Sequence, residues 1–452
     1  MKLKILLAAF AAEFLAAAAS LGQHLSWYQL SPDILLAARW VAIALFGVYA
    51  ARRRSLTGWI LLGMAAGVEF GHDWPATAVK LQVCGTIFLR LIKVIIAPLL
   101  FSTLVVGIAG HADLKKVGRM GAKALIYFEV VSTLALLIGF VAINISRAGE
   151  GVRMPAGAQT QNLAVATHSA TEIIENIFPE NIAKSVAEGE VLQIVVFSVL
   201  FGLALAMVPE AKRRPLLNFA ESLAETMFKF TNIVMLAAPI GVFGAIAYTV
   251  GHMGLGVLMP LLKLLATMYV ALGFFVFCVL LPIALIIRAP LKRFLRAVAE
   301  PVTIAFATAS SEAALPIAME KMESIGVPRE TVAFVLPTGY SFNLDGSSLY
   351  QSLALIFVAQ TAGIHLGAGQ QMIMLLTLLV SSKGVAGVAR ASLVIVLATA
   401  TSFHLPLEPI FLLFGIDQLM DMARTGVNVL GNCLATLVIA RWEGEIGAFS
   451  RQ

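Results

Sequence analysis

A stripe of polar side chains runs through an otherwise apolar stretch near the end of the sequence. Its members are spaced four, three, one, three and four positions apart, so on an α-helix they share one face: Asp417, Asp421, Arg424, Thr425, Asn428 and Asn432. Arginine presents a planar fork that fits a carboxylate, and an aspartate one turn earlier can bind an ammonium group. A ligand with both features, and with a second carboxylate bound by backbone donors, is an acidic amino acid. The alternative is an Asp–Arg ion pair that joins two helices, but such an interface needs one polar pair, not a whole stripe.

The composition shows what surrounds this stripe. Of 452 residues, 59% are hydrophobic and 13% are charged, whereas soluble domains carry about 25% charged residues. Many apolar runs reach about 20 residues, the length that crosses a bilayer. The sequence therefore predicts an all-α polytopic membrane protein. The net charge of +6 fits basic cytoplasmic loops and gives no reason to expect a nucleic-acid partner. The cysteines Cys84, Cys278 and Cys433 have no metal-binding spacing.

Two interrupted apolar stretches are the elements that must position the stripe. The first dips into "ASSEAALP" at 309–316 and re-enters an apolar run that is broken by Pro337, Gly339, Asn343, Asp345 and Gly346. The second is broken by Ser381, Ser382, Gly384 and Gly387. Irregular backbone at membrane depth is tolerated only where protein or a water-filled cavity provides hydrogen-bond partners for its free N–H and C=O groups. Basic clusters predict that the first stretch enters from the cytoplasm and the second from the opposite side. Two such units of opposite orientation form an inverted repeat, an arrangement typical of secondary transporters.

Apolar runs flanked by charge predict the remaining membrane helices. They cover about 34–50, 56–70, 87–109, 124–145, 191–208, 219–250, 259–287 and 405–440, with a long outer loop at 147–190. Residues 1–54 are predicted to form an extra helical hairpin with a cytoplasmic N-terminus. The alternative for its first helix is a cleaved signal peptide, and Glu13 within the apolar run counts against cleavage.

Four motifs resemble one known family, the dicarboxylate/amino acid:cation symporters, or glutamate transporter family. They are "SSEAALP" at 310–316, "NLDGSSLYQ" at 343–351, "SKGVAGV" at 382–388 and "DMARTGVNVLGN" at 421–432. The resemblance covers about 55–445 and is greatest to bacterial proton/glutamate symporters. It implies the glutamate-transporter fold, with two re-entrant helical hairpins, inverted repeats and elevator-type movement. It also implies a homotrimer in the bacterial cytoplasmic membrane, with both termini cytoplasmic.

The resemblance also implies a division of the chain into scaffold and transport parts, and it implies roles for individual residues in substrate binding. Scaffold helices would lie at about 55–110 and 191–250, a transport part at about 123–146 and 259–440, and a cytoplasmic tail at 446–452. Arg424 would bind the substrate's side-chain carboxylate and Asp421 its amino group. The other substrate contacts implied by the motifs are Ser310, Ser311, Ser347, the backbone near Val388, Thr425 and Asn428. The chain departs from common family patterns at Ala309 and Ala389, and Arg390 is either a water-facing tip residue or a second anion contact.

The family pattern favours a proton over sodium as the coupling ion. Asn432 and Val131 stand where sodium-coupled relatives carry an Asp and a Thr ligand, which leaves a residual cation site of Asn343, Asp345, Asn428 and Asn432. Glu129 is predicted to lie near Asp345, and a carboxyl buried beside another carboxylate can carry a proton near neutral pH. The alternative for Glu129 is a salt bridge to Lys93. Asp345 itself and Glu312 are the other proton-carrier candidates. Gln351 stands where mammalian relatives carry their proton-binding Glu, which excludes that route.

The sequence and the resemblance therefore predict an importer of L-glutamate and L-aspartate driven by protons. A sodium-coupled symporter and a C4-dicarboxylate:proton symporter of the same family stay as alternatives; Asp421 disfavours the latter because its carboxylate would repel a substrate without an ammonium. An intramembrane enzyme is disfavoured because the sequence has no HExxH or GxSxG motif, and His404 is interpreted as a boundary residue. A channel is disfavoured by the hairpins. No cofactor or metal is expected beyond the coupling ion.

Overall fold

The computed structural model describes residues 31–53, 56–109, 116–152, 178–188, 191–364, 366–382, 391–403 and 405–444. Within these ranges all regular structure is helical and no strand occurs. A chain that enters lipid must satisfy its N–H and C=O groups within each segment, which a helix does. The prediction of an all-α polytopic membrane protein is confirmed.

The helices vary in length from a single turn to 35 residues. In chain order, the first nine are α1 (Pro32–Arg53), α2 (Leu56–Asp73), α3 (Pro75–Ala78), α4 (Gln82–Ala109), α5 (Lys116–Ser146), α6 (Ile182–Glu188), α7 (Val191–Met207), α8 (Glu210–Met235) and α9 (Ala238–Met253). The others are α10 (Leu258–Phe275), α11 (Leu281–Ile286), α12 (Leu291–Thr308), α13 (Ser311–Ser324), α14 (Arg329–Phe342), α15 (Asp345–Thr361), α16 (Ala368–Ser381), α17 (Ala391–Ser402) and α18 (Glu408–Trp442).

Several of these helices are suited to crossing a bilayer. Five spans in the described ranges are long and apolar enough, namely Asp33–Arg52, Pro75–Val106, Arg119–Ser146, Leu255–Ile286 and Pro409–Trp442. A sixth is obtained if α8 and α9 count together as one span. The sequence predicted one continuous helix at 219–250, and this is wrong. Pro239 lies in the first turn of α9, where a residue without an N–H begins a helix instead of continuing one.

One compact unit consists of the described residues within 1–91, 234–261 and 410–418. Its centre is a close contact between α2 and α9. A Cβ added at Gly67 would lie 2.8 Å from the carbonyl oxygen of Phe243, and one added at Gly71 would lie 2.8 Å from that of Ala247. Glycine therefore lets the two backbones touch, as small residues do between membrane helices.

The helix α1 is fastened to this unit by polar contacts. Arg39 forms ion pairs with Glu69, at 2.7 Å, and with Asp73. The Nε1 of Trp40 donates to Asp73 Oδ2 at 2.9 Å. The second helix of the predicted N-terminal hairpin therefore exists, while the first helix lies outside the described residues.

The second unit consists of residues 92–233, 262–409 and 419–452. Two helical pairs pack as hairpins within it, α12 with α13 and α16 with α17. Helix α15 packs on α5 and α17 and is buried along almost its whole length. The predicted interruption is confirmed, because α14 ends at Phe342 and α15 begins at Asp345. The chain thereby brings two helix ends to the middle of this unit.

Candidate functional site: a buried charge pair on the last helix

The polar stripe of α18 faces the protein interior. All its members are at most 5% exposed: Asp417, Asp421, Arg424, Thr425, Asn428 and Asn432. Charged groups at membrane depth are costly unless they are paired. The burial confirms that the stripe faces protein.

The charged centre of the stripe is Arg424. Its Nε donates to Asp421 Oδ1 at 2.9 Å, and its Nη2 lies 2.9 Å from the same oxygen. Thr425 Oγ1 donates to that oxygen at 3.4 Å. The guanidinium also lies over the ring of Tyr350, 4.1 Å from its centroid, a favourable cation–π geometry. This ion pair lies within one helix, so the alternative of a pair that joins two helices does not describe it.

Helix α15 approaches α18 at a glycine. A Cβ added at Gly346 would overlap the backbone carbonyl of Arg424. The glycine therefore lets α15 touch α18, and Tyr350, one turn further along α15, meets the guanidinium. Ser347, which follows Gly346, forms two hydrogen bonds with Asn428. The backbone N–H of Ser347 donates to Asn428 Oδ1 at 3.2 Å, and Asn428 Nδ2 donates to Ser347 Oγ at 3.0 Å. These hydrogen bonds fix the orientation of the Asn428 amide.

A second polar cluster lies around the start of α15. Asn343 Nδ2 donates to Asp345 Oδ2 and to Asn432 Oδ1, both at 3.2 Å, and Asn432 Nδ2 donates to the Asn343 carbonyl at 3.2 Å. Ser132 Oγ of α5 donates to Asp345 Oδ1 at 3.4 Å. Asn343, Asp345 and Asn432 are fully buried, and Val131 beside Ser132 is buried as well. Three of the four residues of the predicted residual cation site are thus in contact, with Asp345 as the carboxylate, while Asn428 bonds to Ser347 instead.

Glycines also permit this cluster. A Cβ added at Gly339 would overlap the Asn432 side chain, and one added at Gly431 would overlap the Asp345 carboxylate. Within the described residues no group of three or more His, Cys, Asp or Glu side chains is placed to hold a metal ion. Any cation here would have to rely on amide, hydroxyl and backbone oxygens besides Asp345.

The tip of the first hairpin places the predicted serines at its turn. Ala309 ends α12 in the left-handed region, with φ of 51°. Ser310 then caps α13, since its Oγ accepts from the backbone N–H of Ala313 at 3.3 Å. Ser311 is half-buried, and Glu312 is exposed in the first turn. Helix α12 of the first hairpin lies beside α18, because a Cβ added at Gly426 of α18 would meet Phe306 of α12 at 3.7 Å.

One prediction about the coupling site is wrong. Glu129 was expected to be buried beside Asp345, but its side chain is exposed. The face of α5 that packs inward carries Phe128, Val131 and Ser132 instead, and Ser132 supplies the contact to Asp345. Lys93, the alternative partner of Glu129, has a side chain outside the described part.

Some predicted positions cannot be placed in this site. Val388, Ala389 and Arg390 of the second hairpin tip, and His404, lie outside the described residues. Gln351 is fully buried on α15.

Two residues that contribute to the site were missed in the sequence, Tyr350 and Ser132. The signal for Tyr350 was its position one turn after Gly346, which puts both residues on the same face of α15.

Comparisons with known proteins show what this chain is similar to. The family model described as "Sodium:dicarboxylate symporter family" matches residues 56–442. A "Proton/sodium-glutamate symport protein" of Geobacillus stearothermophilus is 44% identical over 404 residues, covering 87% of this chain and 96% of that protein. A "Proton/glutamate-aspartate symporter" of Escherichia coli is 45% identical, with 86% and 93% covered. A "C4-dicarboxylate transport protein 2" of Mesorhizobium japonicum is 42% identical, with 88% and 93% covered.

Proposed function

Because this chain belongs to the sodium:dicarboxylate symporter family, we propose that it imports L-glutamate and L-aspartate together with protons. The observation that carries the substrate assignment is the buried pair of Arg424 and Asp421, 2.9 Å apart on one helix face. A site that presents one fixed cation and one fixed anion matches a ligand that carries both charges.

Substrate binding then exchanges one ion pair for two. The side-chain carboxylate of the substrate takes the fork of Arg424, and its ammonium group takes Asp421. Removing one partner from a buried ion pair is strongly unfavourable, because the other charge is left uncompensated. A ligand that lacked the ammonium would separate Arg424 from Asp421 without giving Asp421 a new partner. The pair therefore selects for substrates that carry an ammonium group as well as a carboxylate.

The rest of the substrate is proposed to meet neighbouring polar groups. Thr425 and Asn428 add hydrogen bonds from α18, and Ser347 adds one from α15. The α-carboxylate is assigned to Ser310 and Ser311 at the first hairpin tip and to the backbone near Val388 at the second. Support comes from the position of α12 beside α18 at Gly426 and from the family motifs at both tips.

A C4-dicarboxylate carrier is the main competing function. It is favoured by relatives such as a "C4-dicarboxylate transport protein" of Rhizobium leguminosarum, which is 43% identical. It is disfavoured by Asp421, which is only 5% exposed and would face a dicarboxylate with like charge. Competition of labelled glutamate uptake by unlabelled succinate or aspartate separates the two: aspartate should compete strongly and succinate weakly.

The coupling ion is proposed to be the proton, carried by Asp345. Three features support this assignment: Asp345 is fully buried, Asn432 is an amide paired with Asn343, and Val131 offers no oxygen. The exposed side chains of Glu129 and Glu312 make them weaker candidates. Sodium remains the alternative, because two relatives are named "Proton/sodium-glutamate symport protein".

Gradient experiments in proteoliposomes test this assignment. Uptake of labelled glutamate is measured with an inward proton gradient and no sodium, and then with a sodium gradient at equal pH. Proton coupling predicts accumulation only in the first condition. Uptake that required sodium and ignored the pH gradient would reject it.

Assembly and placement complete the proposal. We infer a homotrimer in the bacterial cytoplasmic membrane that works by an elevator movement, with cytoplasmic N- and C-termini. The orientation is supported by basic clusters at helix ends, such as 52–54, 212–214 and 292–296, because Lys and Arg are concentrated in cytoplasmic loops. Trimer and elevator are supported by family membership.

A further inference from the structure

A short joint at 287–290 connects one membrane span to the first hairpin. The span Leu255–Ile286 is long and apolar enough to cross a bilayer. Where α11 ends, Arg288 adopts the left-handed conformation with φ of 52°, and the N–H of Ala289 donates to the carbonyl of Ala284 at 2.9 Å. Helix α12 of the hairpin follows directly. The joint therefore lies at the end of a span, where a bilayer meets water.

Basic side chains cluster at this joint. Four exposed members lie between positions 288 and 296: Arg288, Lys292, Arg293 and Arg296. Lys292 and Arg296 are four positions apart, so they share one face of α12. The nearest acidic residue along that helix, Glu300, pairs with Lys321 at 2.9 Å. Within the described residues, no ion pair involves Arg288, Lys292 or Arg296, so this surface presents uncompensated positive charge.

Other basic groups at helix ends are paired with acids. Arg214 lies 3.4 Å from Glu210, and Arg119 and Lys123 both pair with Glu443. The bias of Lys and Arg toward the cytoplasm explains the sign of all these clusters, but it does not explain why one of them is uncompensated. Helix stability does not explain it either, because positive charge in the first turn of α12 opposes the helix dipole.

Exposed apolar side chains border the same charges. In the last turn of α11, Leu285 is 56% and Ile286 is 79% exposed. Leu295 is also 56% exposed and lies beside Lys292 and Arg296 on α12. Apolar side chains next to cations match the two parts of a phospholipid, whose acyl chains are apolar and whose headgroup carries a phosphate.

We propose that Arg288, Lys292 and Arg296 bind the headgroup of an anionic phospholipid. Its acyl chains lie along Leu285 and Ile286. Clusters of four or more basic residues immediately beyond a membrane helix are attracted to anionic lipids, and the arginine fork fits a phosphate. A zwitterionic lipid brings its own ammonium group and gains less from this surface. The leaflet, which is the cytoplasmic one, rests on the orientation proposed above, whereas the contact itself does not.

Native mass spectrometry of the full chain in detergent tests this contact. The protein is titrated with phosphatidylglycerol, which is anionic, and in parallel with phosphatidylcholine, which is zwitterionic. The test variant combines three substitutions: Arg288→Asn, Lys292→Gln and Arg296→Gln. Asparagine is chosen at the first position because it tolerates left-handed backbone.

A matched control variant removes three charges from another basic cluster. Its substitutions are Lys212→Gln, Arg213→Gln and Arg214→Gln. Thermal unfolding of the wild type and both variants, with and without each lipid, reports folding and gives a second measure of binding.

Each basic side chain near an anionic surface contributes about a fivefold gain in affinity. The test variant should therefore bind phosphatidylglycerol about 100-fold more weakly than the wild type, with unchanged binding of phosphatidylcholine. The control variant should bind both lipids like the wild type. Phosphatidylglycerol should raise the unfolding temperature of the wild type and of the control variant more than that of the test variant. If the triple variant does not fold, Lys292→Gln with Arg296→Gln, both at exposed positions, should give a loss of about 25-fold.

Three results would overturn the proposal. Phosphatidylglycerol affinity in the test variant equal to that of the wild type would remove these side chains from lipid binding. An equal loss in the control variant would mean that overall charge, not this surface, attracts the lipid. Displacement of phosphatidylglycerol by the same concentration of soluble glycerol phosphate would assign the surface to a soluble anion.

Discussion

Replacement of Asp421 by asparagine is expected to change the substrate preference as well as the affinity. The variant keeps the side-chain shape but removes the negative charge that lies 2.9 Å from Arg424. A hydrogen bond to a charged group contributes about 1.5–3 kcal/mol, and 1.4 kcal/mol corresponds to a factor of ten. Loss of the ammonium contact should therefore weaken glutamate binding by about 10- to 150-fold.

Succinate should respond differently to the same change. It has two carboxylates and no ammonium, so it loses no contact, and the like-charge repulsion from Asp421 disappears. Arg424 no longer has to be separated from a carboxylate before it binds the ligand. The ratio of glutamate to succinate affinity should fall at least tenfold in Asp421→Asn.

Calorimetric titration of purified protein measures both affinities. Asp417→Asn is the matched control, because it removes another fully buried carboxylate one turn earlier on α18 but should keep the affinity ratio. Thermal unfolding of both variants separates loss of binding from loss of folding, since a broken buried ion pair costs about 3–5 kcal/mol. Glutamate affinity near that of the wild type in Asp421→Asn would show that the amino group binds elsewhere.

Three further predictions concern Arg424, a helix contact and the end of α18. Arg424→Ala should weaken glutamate binding by one to two decades, measured by the same titration; unchanged affinity would remove Arg424 from the site. Gly346→Ala should destabilise the protein by about 1–3 kcal/mol through overpacking against the Arg424 backbone, whereas Gly273→Ala, which meets nothing within 4 Å, should not; equal shifts in thermal unfolding would refute the close contact. Hydrogen bonds from Arg119 and Lys123 hold the pKa of Glu443 below its usual value. This stabilisation should be present above the ordinary carboxyl pKa and be lost as pH falls below it, so Glu443→Gln should unfold with less acid sensitivity than the wild type.

The sequence predicted the stripe of α18 because polar residues in an apolar helix leave a clear period. The interruption between α14 and α15 was equally predictable, since Asn343 and Gly346 oppose a continuous helix at membrane depth. The contact that joins α15 to α18 was not. It depends on Gly346 lying against one particular carbonyl, and a glycine in a sequence does not say which backbone it touches.

The misplacement of Glu129 has a related cause. Proximity in sequence to Val131 suggested proximity to Asp345, but neighbouring residues on a helix differ by about 100° in direction. The inward face of α5 is set by its packing on α15, and that face carries Ser132. The buried set Phe128, Val131, Ser132 and Ala135 has helical spacing, so the period of small and apolar residues was the better guide.

The central claim is that this chain carries acidic amino acids by alternating access. Counterflow is its most direct measurement: proteoliposomes are loaded with unlabelled L-glutamate, diluted into a trace of labelled L-glutamate, and followed without any ion gradient. A carrier predicts transient accumulation of label above equilibrium, abolished by Arg424→Ala. Label that only equilibrates, or that accumulates equally in liposomes loaded with succinate alone, would contradict an acidic amino acid carrier.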